Sequence, residues 1–161
     1  MPVTPARAIE ALEKHLRVVL QGQTLESVGW KQLDPLTLLI PLQAVREDGG
    51  TDDYYFRFGF AYYPEWPPSV RAVNPKTLRY DYPADVRWLP SVERCSEIGF
   101  HPQYNASVGQ LICNSSTLEF YQVRHSCEPW HLWDAGRHTF ALTLNVLRDC
   151  LRPPYYRGRR E

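Results

Sequence analysis

Hydrophobic residues recur along the first twenty positions at the spacing of an amphipathic helix. Ile9, Leu12, Leu16, Val19 and Leu20 share one face, with Glu10, Glu13, Lys14 and Arg17 between them. Thr4 before Pro5 supplies an N-cap with proline in the first turn, and Gly22 supplies a stop, so a helix is predicted over 5–21. The period then shortens. Residues 24–33 alternate weakly, and 36–43 form an apolar run (Leu38, Leu39, Ile40, Leu42) interrupted by Pro41, which suggests an edge position or a strand end. Gly49-Gly50, among the charges of Arg46 to Asp53, marks a turn. The clearest strand is 54–62, where Tyr54, Phe56, Phe58, Phe60 and Tyr62 fall on one face by period two. A fourth short strand is expected at about 69–73, after a proline cluster.

From Asn74 to about Leu132 no segment keeps a convincing period, so a long loop region is expected there. Over 137–151 the helical period returns, with Phe140, Leu142, Leu144, Val146, Leu147 and Leu151 as an apolar face and Pro153-Pro154 as the stop. An N-terminal helix, a four-stranded antiparallel meander, a long loop region and a second helix describe an α+β fold. A single domain over 1–161 is expected, with no repeat or linker to divide it.

Composition narrows the function classes. A formal net charge of zero argues against a general nucleic-acid or membrane-surface binder. No apolar run approaches the ~20 residues of a membrane span, and the charged first segment has no signal-peptide core. A cytoplasmic protein with reduced cysteines is therefore expected. The arginines near the C-terminus (Arg148, Arg152, Arg157, Arg159, Arg160) are expected to form a solvated basic tail. The only lysines are Lys14, Lys31 and Lys76, which leaves few amines able to attack an acyl group held on the protein.

Three features then occur in order. The aromatic strand runs into Tyr63-Pro64-Glu65-Trp66-Pro67-Pro68; His101-Pro102-Gln103 precedes Gly109-Gln110-Leu111-Ile112-Cys113; and Trp133-Asp134 leads to the second helix. Taken together they resemble the ubiquitin-conjugating enzyme family, over roughly residues 5–155. The resemblance implies the conjugating-enzyme fold and a catalytic Cys113. That cysteine would accept a ubiquitin-like protein from an activating enzyme as a thioester and pass it to an amine on an acceptor protein, without metal or organic cofactor. Cysteine suits such exchange because its thiolate is both a strong nucleophile and a good leaving group.

The sequence departs from the family pattern. Where the family's H-P-N motif has an asparagine to stabilise the oxyanion, this chain has Gln103. Asn105 fits the family's usual spacing to the cysteine better, with Tyr104 as an insertion, and both remain candidates. His101, Asn114 and Asp134 would support the site; Asp134 could attract or deprotonate an incoming amine, but a helix-capping role is the plainer expectation. Arg7, Lys14 and Arg17 form the cationic side of the first helix, which in this family helps dock the activating enzyme; a solvated face is the alternative. The stretches 74–100 and 114–132 are longer than usual, and the family's C-terminal helices are missing. That abbreviated form resembles divergent bacterial members, found in operons of antiviral defence or beside an activating enzyme and a metalloprotease.

Two other functions compete. A catalytically inactive module of the same fold would bind a ubiquitin-like protein, though such modules generally lack a cysteine at this place. A metalloprotein would use His125, Cys127 and His131, with His101 and Cys95 elsewhere, but these are too scattered for a zinc site. Cys150 is expected to be a buried small hydrophobe, Cys95 and Cys127 loop cysteines, and Trp133 a packing residue.

Overall fold

The computed structural model describes residues 3–95, 97–123 and 131–161. Helix α1 covers Pro5–Leu20. Thr4 caps it by accepting from the Arg7 amide, and it ends on Gln21 in the left-handed conformation, one residue before the predicted glycine stop. Four strands follow: β1 (Lys31–Asp34), β2 (Thr37–Val45), β3 (Thr51–Gly59) and β4 (Ser69–Ala72). They form one antiparallel sheet in the order β1-β2-β3-β4, as the hydrophobic pattern predicts.

One face of that sheet is the core. Leu38, Ile40, Leu42 and Ala44 of β2, and Tyr54, Phe56 and Phe58 of β3, are buried on it at period two. Each large side chain so buried contributes on the order of 1.5–3 kcal/mol. Phe60 continues the buried row just past the strand, but Tyr62 is only half-buried and Tyr63 takes the interior place. Pro41 sits inside β2, not at its end. β2 runs past Leu39, its last-paired residue beyond Leu38 on the β1 side, so a missing N–H at Pro41 costs no ladder bond there.

The second long helix, α3 (Phe140–Cys150), packs on this core through Phe140, Leu144 and Leu147. Phe140 meets Trp30, Phe58, Phe60 and Tyr63 edge-on. Its N-cap is Thr139, whose hydroxyl accepts from the Ala141 amide, and not Asp134.

The region expected to be a long loop contains regular structure. β5 (Pro90–Val92), β6 (Gly99–Asn105), β7 (Gly109–Cys113) and the short helix α2 (Leu118–Gln122) all lie within it. β6 and β7 form a hairpin, and β5 pairs with β8 (Tyr156–Arg159). Of the C-terminal arginines, Arg148, Arg152 and Arg157 are exposed as expected, whereas Arg159 and Arg160 are bound. Arg159 stacks on the Tyr54 and Trp88 rings, and Arg160 donates to the Pro90 and Phe100 carbonyls. Among the described residues no helix is long and apolar enough to cross a membrane.

Candidate active site

The hairpin that carries Cys113 is fastened to the edge of the main sheet by side chains. Gln110 is buried. Its Nε2 donates to the Ala72 carbonyl and its Oε1 accepts from the Ala72 amide, both at 2.8 Å. The Arg71 guanidinium donates to the carbonyls of Val108 and Gln110 and lies over the Tyr80 ring. β7 is thereby fixed in place, and Cys113 ends it, opposite Gly99 in the ladder. Gly99 has no side chain, and the His101 ring fills the vacant place: a Cβ there would meet His101 Nε2 at 3.0 Å.

The chain beyond Cys113 is held as firmly. Asn114 Oδ1 accepts from the amide and hydroxyl of Ser116, and its Nδ2 donates to the Glu97 carbonyl at 2.5 Å. Thr117 Oγ1 donates back to the Ile112 carbonyl at 2.7 Å, and Thr143 of α3 donates to the Ser116 carbonyl. Tyr121 of α2 donates to the Ser115 carbonyl and accepts from the Trp133 amide.

The three sequence features converge on these contacts. The Trp133 indole N–H donates to the Pro64 carbonyl at 2.9 Å, and the Leu118 amide donates to the Pro68 carbonyl. Tyr63 is fully buried; its hydroxyl accepts from the Phe140 amide and meets His15 Nδ1 at 2.5 Å. The proline turn, the tryptophan and the start of α3 are therefore one packed unit behind the cysteine hairpin.

Cys113 opens onto a groove of about 820 Å³ whose walls include Cys95, His101, Ser115, His131, His138 and Val146. It is half-buried, and burial pushes its thiol pKa up. The thiol is thus mostly protonated at neutral pH. Cys150 is buried in α3 with its pKa pushed far higher by burial, as expected of a packing cysteine.

The two proposed oxyanion donors are not beside the thiol. Asn105 pairs with Gly109, four residues before Cys113, which at ~3.3 Å per residue sets them roughly 13 Å apart along the strands. Its Oδ1 accepts from the Ser107 and Val108 amides, so it shapes the hairpin turn. Gln103 is exposed within a bulge, where Pro102, Gln103 and Tyr104 face Gln110 alone. Asn105 and Cys113 stand apart because the positions between them are spent on the hairpin turn and the full length of β7.

His101 and Asn114 do stand with Cys113 on the groove. Asp134 neither caps α3 nor lines the groove; its carboxylate accepts from the Gly136 amide in the turn before the helix. Arg7, Lys14 and Arg17 are exposed on α1, with Arg7 ion-paired to Glu65 of the proline turn. His125 and Cys127 lie outside the described residues, among which no group of three or more His, Cys, Asp or Glu could hold a metal ion. Sequence reasoning missed Gln110 and Arg71, whose partners are distant in the chain, and His138, which the fold places on the same groove as Cys113. Compared with protein-family models, with curated proteins and with solved structures, the chain matches none.

Proposed function

We propose that this chain is a conjugating-enzyme-like protein in which Cys113 carries the C-terminal acyl group of a ubiquitin-like protein as a thioester. The observation that carries this reading is the placement of Cys113 at the end of a docked strand, on the wall of an open groove, with the proline turn and Trp133 bonded together behind it. A ubiquitin-conjugating fold is the architecture we assign to this arrangement. In the first step the Cys113 thiolate attacks the activating enzyme's thioester; a new C–S bond forms and the activating enzyme's thiolate leaves. In the second an amine of the acceptor protein attacks, a C–N bond forms, and Cys113 leaves as thiolate and takes up the proton the amine gives up. The exposed Lys14 and Arg17, with Arg7, would meet the activating enzyme.

A synthetic peptide α-thioester ending in Gly-Gly tests the reading without the native modifier. The protein should gain one acyl group that hydroxylamine removes, and Cys113→Ala should gain none. Equal acylation of Cys113→Ala would overturn the proposal.

Two observations favour a second reading, a non-catalytic module that binds a ubiquitin-like protein: burial raises the Cys113 thiol pKa, and Asn105 stands at the far end of the hairpin. A protein that binds ubiquitin in titration while Cys113 resists the peptide thioester at every pH up to 9 would support the module.

A further inference from the structure

If Cys113 forms a thioester, the carbonyl oxygen becomes an oxyanion each time the acyl group moves, and a positioned donor should meet it. Asn105 is committed to a turn at the far end of the hairpin, and Gln103 is exposed in the bulge. The groove itself holds another donor. We infer that His138 supplies the hydrogen bond to the oxyanion, through Nε2–H, in the place that the sequence leads one to assign to an amide side chain. This rests on the thioester reading given above.

The argument starts from how His138 is held. It ends a tight turn, Asp134 to His138, in which the Asp134 carbonyl accepts from the amides of Arg137 and His138, and the Asp134 carboxylate from the amide of Gly136. The same turn fixes the ring. The Asp134 amide donates to His138 Nδ1 at 3.0 Å, so Nδ1 is an acceptor and carries no proton. A neutral imidazole whose Nδ1 accepts must keep its proton on Nε2. The ring also lies against Trp133, 5.6 Å between centroids, and Trp133 is itself tied to Pro64 and Tyr121. Orientation and tautomer are therefore set before any substrate arrives.

His138, just before α3, and Cys113, at the end of β7, both line the same groove. With Nδ1 bonded to its own loop, Nε2–H is the ring's remaining polar group and the one it can offer to the groove. Such a ring is a donor and not a general base, because its one lone pair is already bonded to the Asp134 amide. In the transfer step the amine nitrogen adds to the thioester carbonyl and the oxygen gains the negative charge. His138 Nε2–H donates to that oxygen. The carbonyl then re-forms, the C–S bond breaks, Cys113 leaves as thiolate, and the proton lost by the amine goes to that thiolate or to water.

Two substitutions separate this role from a structural one. Asparagine places its carbonyl oxygen near the position of Nδ1, so His138→Asn keeps an acceptor for the Asp134 amide but lacks the donor into the groove. Glutamine places its amide nitrogen near the position of Nε2, so His138→Gln keeps the donor. Each variant is loaded on Cys113 with the Gly-Gly peptide thioester and discharged with glycinamide in a single turnover. Iodoacetamide alkylation of Cys113, which forms no oxyanion, is measured in parallel. His138→Asn should discharge on the order of a hundredfold more slowly, His138→Gln should recover a large part of that loss, and alkylation should stay within twofold in both. Discharge of His138→Asn within threefold of the unsubstituted protein overturns the inference. A parallel fall in alkylation also overturns it, since His138 would then act on the thiol itself. Failure of the unsubstituted protein to load on Cys113 is a different result: it overturns the thioester reading and this inference with it.

Discussion

Gln110 and Ala72 make a complete ladder pair out of one side chain and one backbone. The carboxamide gives and takes a hydrogen bond at 2.8 Å, so the edge of β4 is closed by a residue of β7 that belongs to a different sheet. An open strand edge would otherwise present unpaired amides and carbonyls. The position of Cys113 relative to the core follows from this pair, because only Leu111 and Ile112 separate Gln110 from Cys113 at the end of the strand.

Gln110→Leu should therefore destabilise the protein more than its apolar character suggests. It leaves the Ala72 amide and carbonyl buried without partners, at about 1–3 kcal/mol for each group. Urea unfolding should show a loss of about 3 kcal/mol, and Cys113 alkylation should change with it as the hairpin loosens. A loss under 1 kcal/mol would mean the hairpin is held without this pair.

Tyr63 and His15 set a dependence on mild acid. The Phe140 amide donates to the Tyr63 oxygen, which leaves the phenolic proton for His15 Nδ1 and requires a neutral imidazole. Burial, and then the charge of Lys14, lower the His15 pKa from the ordinary value of about 6.5. The stability due to neutral His15 is thus fully present above pH 6.5 and is lost as pH falls through the lowered folded-state value, because the unfolded chain takes up the proton first. Unfolding free energies measured from pH 8 to pH 5 should fall over that window. His15→Gln should flatten the slope, and Tyr63→Phe, which orphans the Phe140 amide, should cost about 1–3 kcal/mol at pH 7. An unchanged slope in His15→Gln would assign the pH dependence to another group.

The four-stranded sheet was legible because each of its buried side chains announces itself at period two, from Leu38 to Ala44 and from Tyr54 to Phe58. The hairpin was not. β6 from His101 to Asn105 is largely exposed and breaks the alternation, and the polar anchors Gln110 and Arg71 add to the buried Phe100, Leu111 and Ile112 in holding the hairpin. β8 was hidden for a related reason. Arg159 looks like a solvated charge, yet two aromatic rings and Asp52 receive it, and hydropathy does not register a cation over a ring. Motif order singles out Cys113 from the sequence, and the fold places it on an open groove. Nothing in a sequence fixes the tautomer of His138, which depends on the Asp134 amide.

Asp52 gathers the C-terminal strand onto β3. It accepts from Tyr156 at 2.6 Å and Arg46 at 2.7 Å, with Arg159 at 3.9 Å. Burial acts to raise its pKa, but the hydrogen bonds from Tyr156 and Arg46 and the two arginine charges outweigh it, and the net value is lowered. Its contribution is present above the unfolded-state value of about 3.9 and is lost as pH falls through the lower folded one. Asp52→Asn should cost about 2 kcal/mol at pH 7, as expected for hydrogen bonds to a charged group. The gap to the unsubstituted protein should close below pH 4. A gap that persists undiminished into acid would place the stabilisation in packing and not in charge.

The reactivity of Cys113 should carry the mark of its burial. Because burial holds the thiol above the ordinary value of about 8.5, the thiolate is a small fraction of the total at pH 7. Alkylation by iodoacetamide should then rise about tenfold per pH unit from 7 to 8.5 without levelling off, since thiolate grows in proportion to hydroxide below the pKa. Cys150, fully buried and bonded to the Leu147 carbonyl, should stay unmodified throughout while the fold is intact. Peptide mapping by mass spectrometry distinguishes the two sites, and Cys113→Ala identifies the reacting one. A plateau near pH 7 would show a thiolate stabilised in the free protein. A nucleophile with a raised pKa behaves differently: it is slow toward general alkylating agents and depends on its partner. Under the proposed thioester chemistry, the activated carbonyl would supply the driving force that the thiol lacks alone. The peptide thioester should accordingly load Cys113 slowly at pH 7 and faster in step with iodoacetamide as pH rises. Loading at pH 7 that far outruns that parallel would show the groove itself activating the thiol once an acyl group is bound.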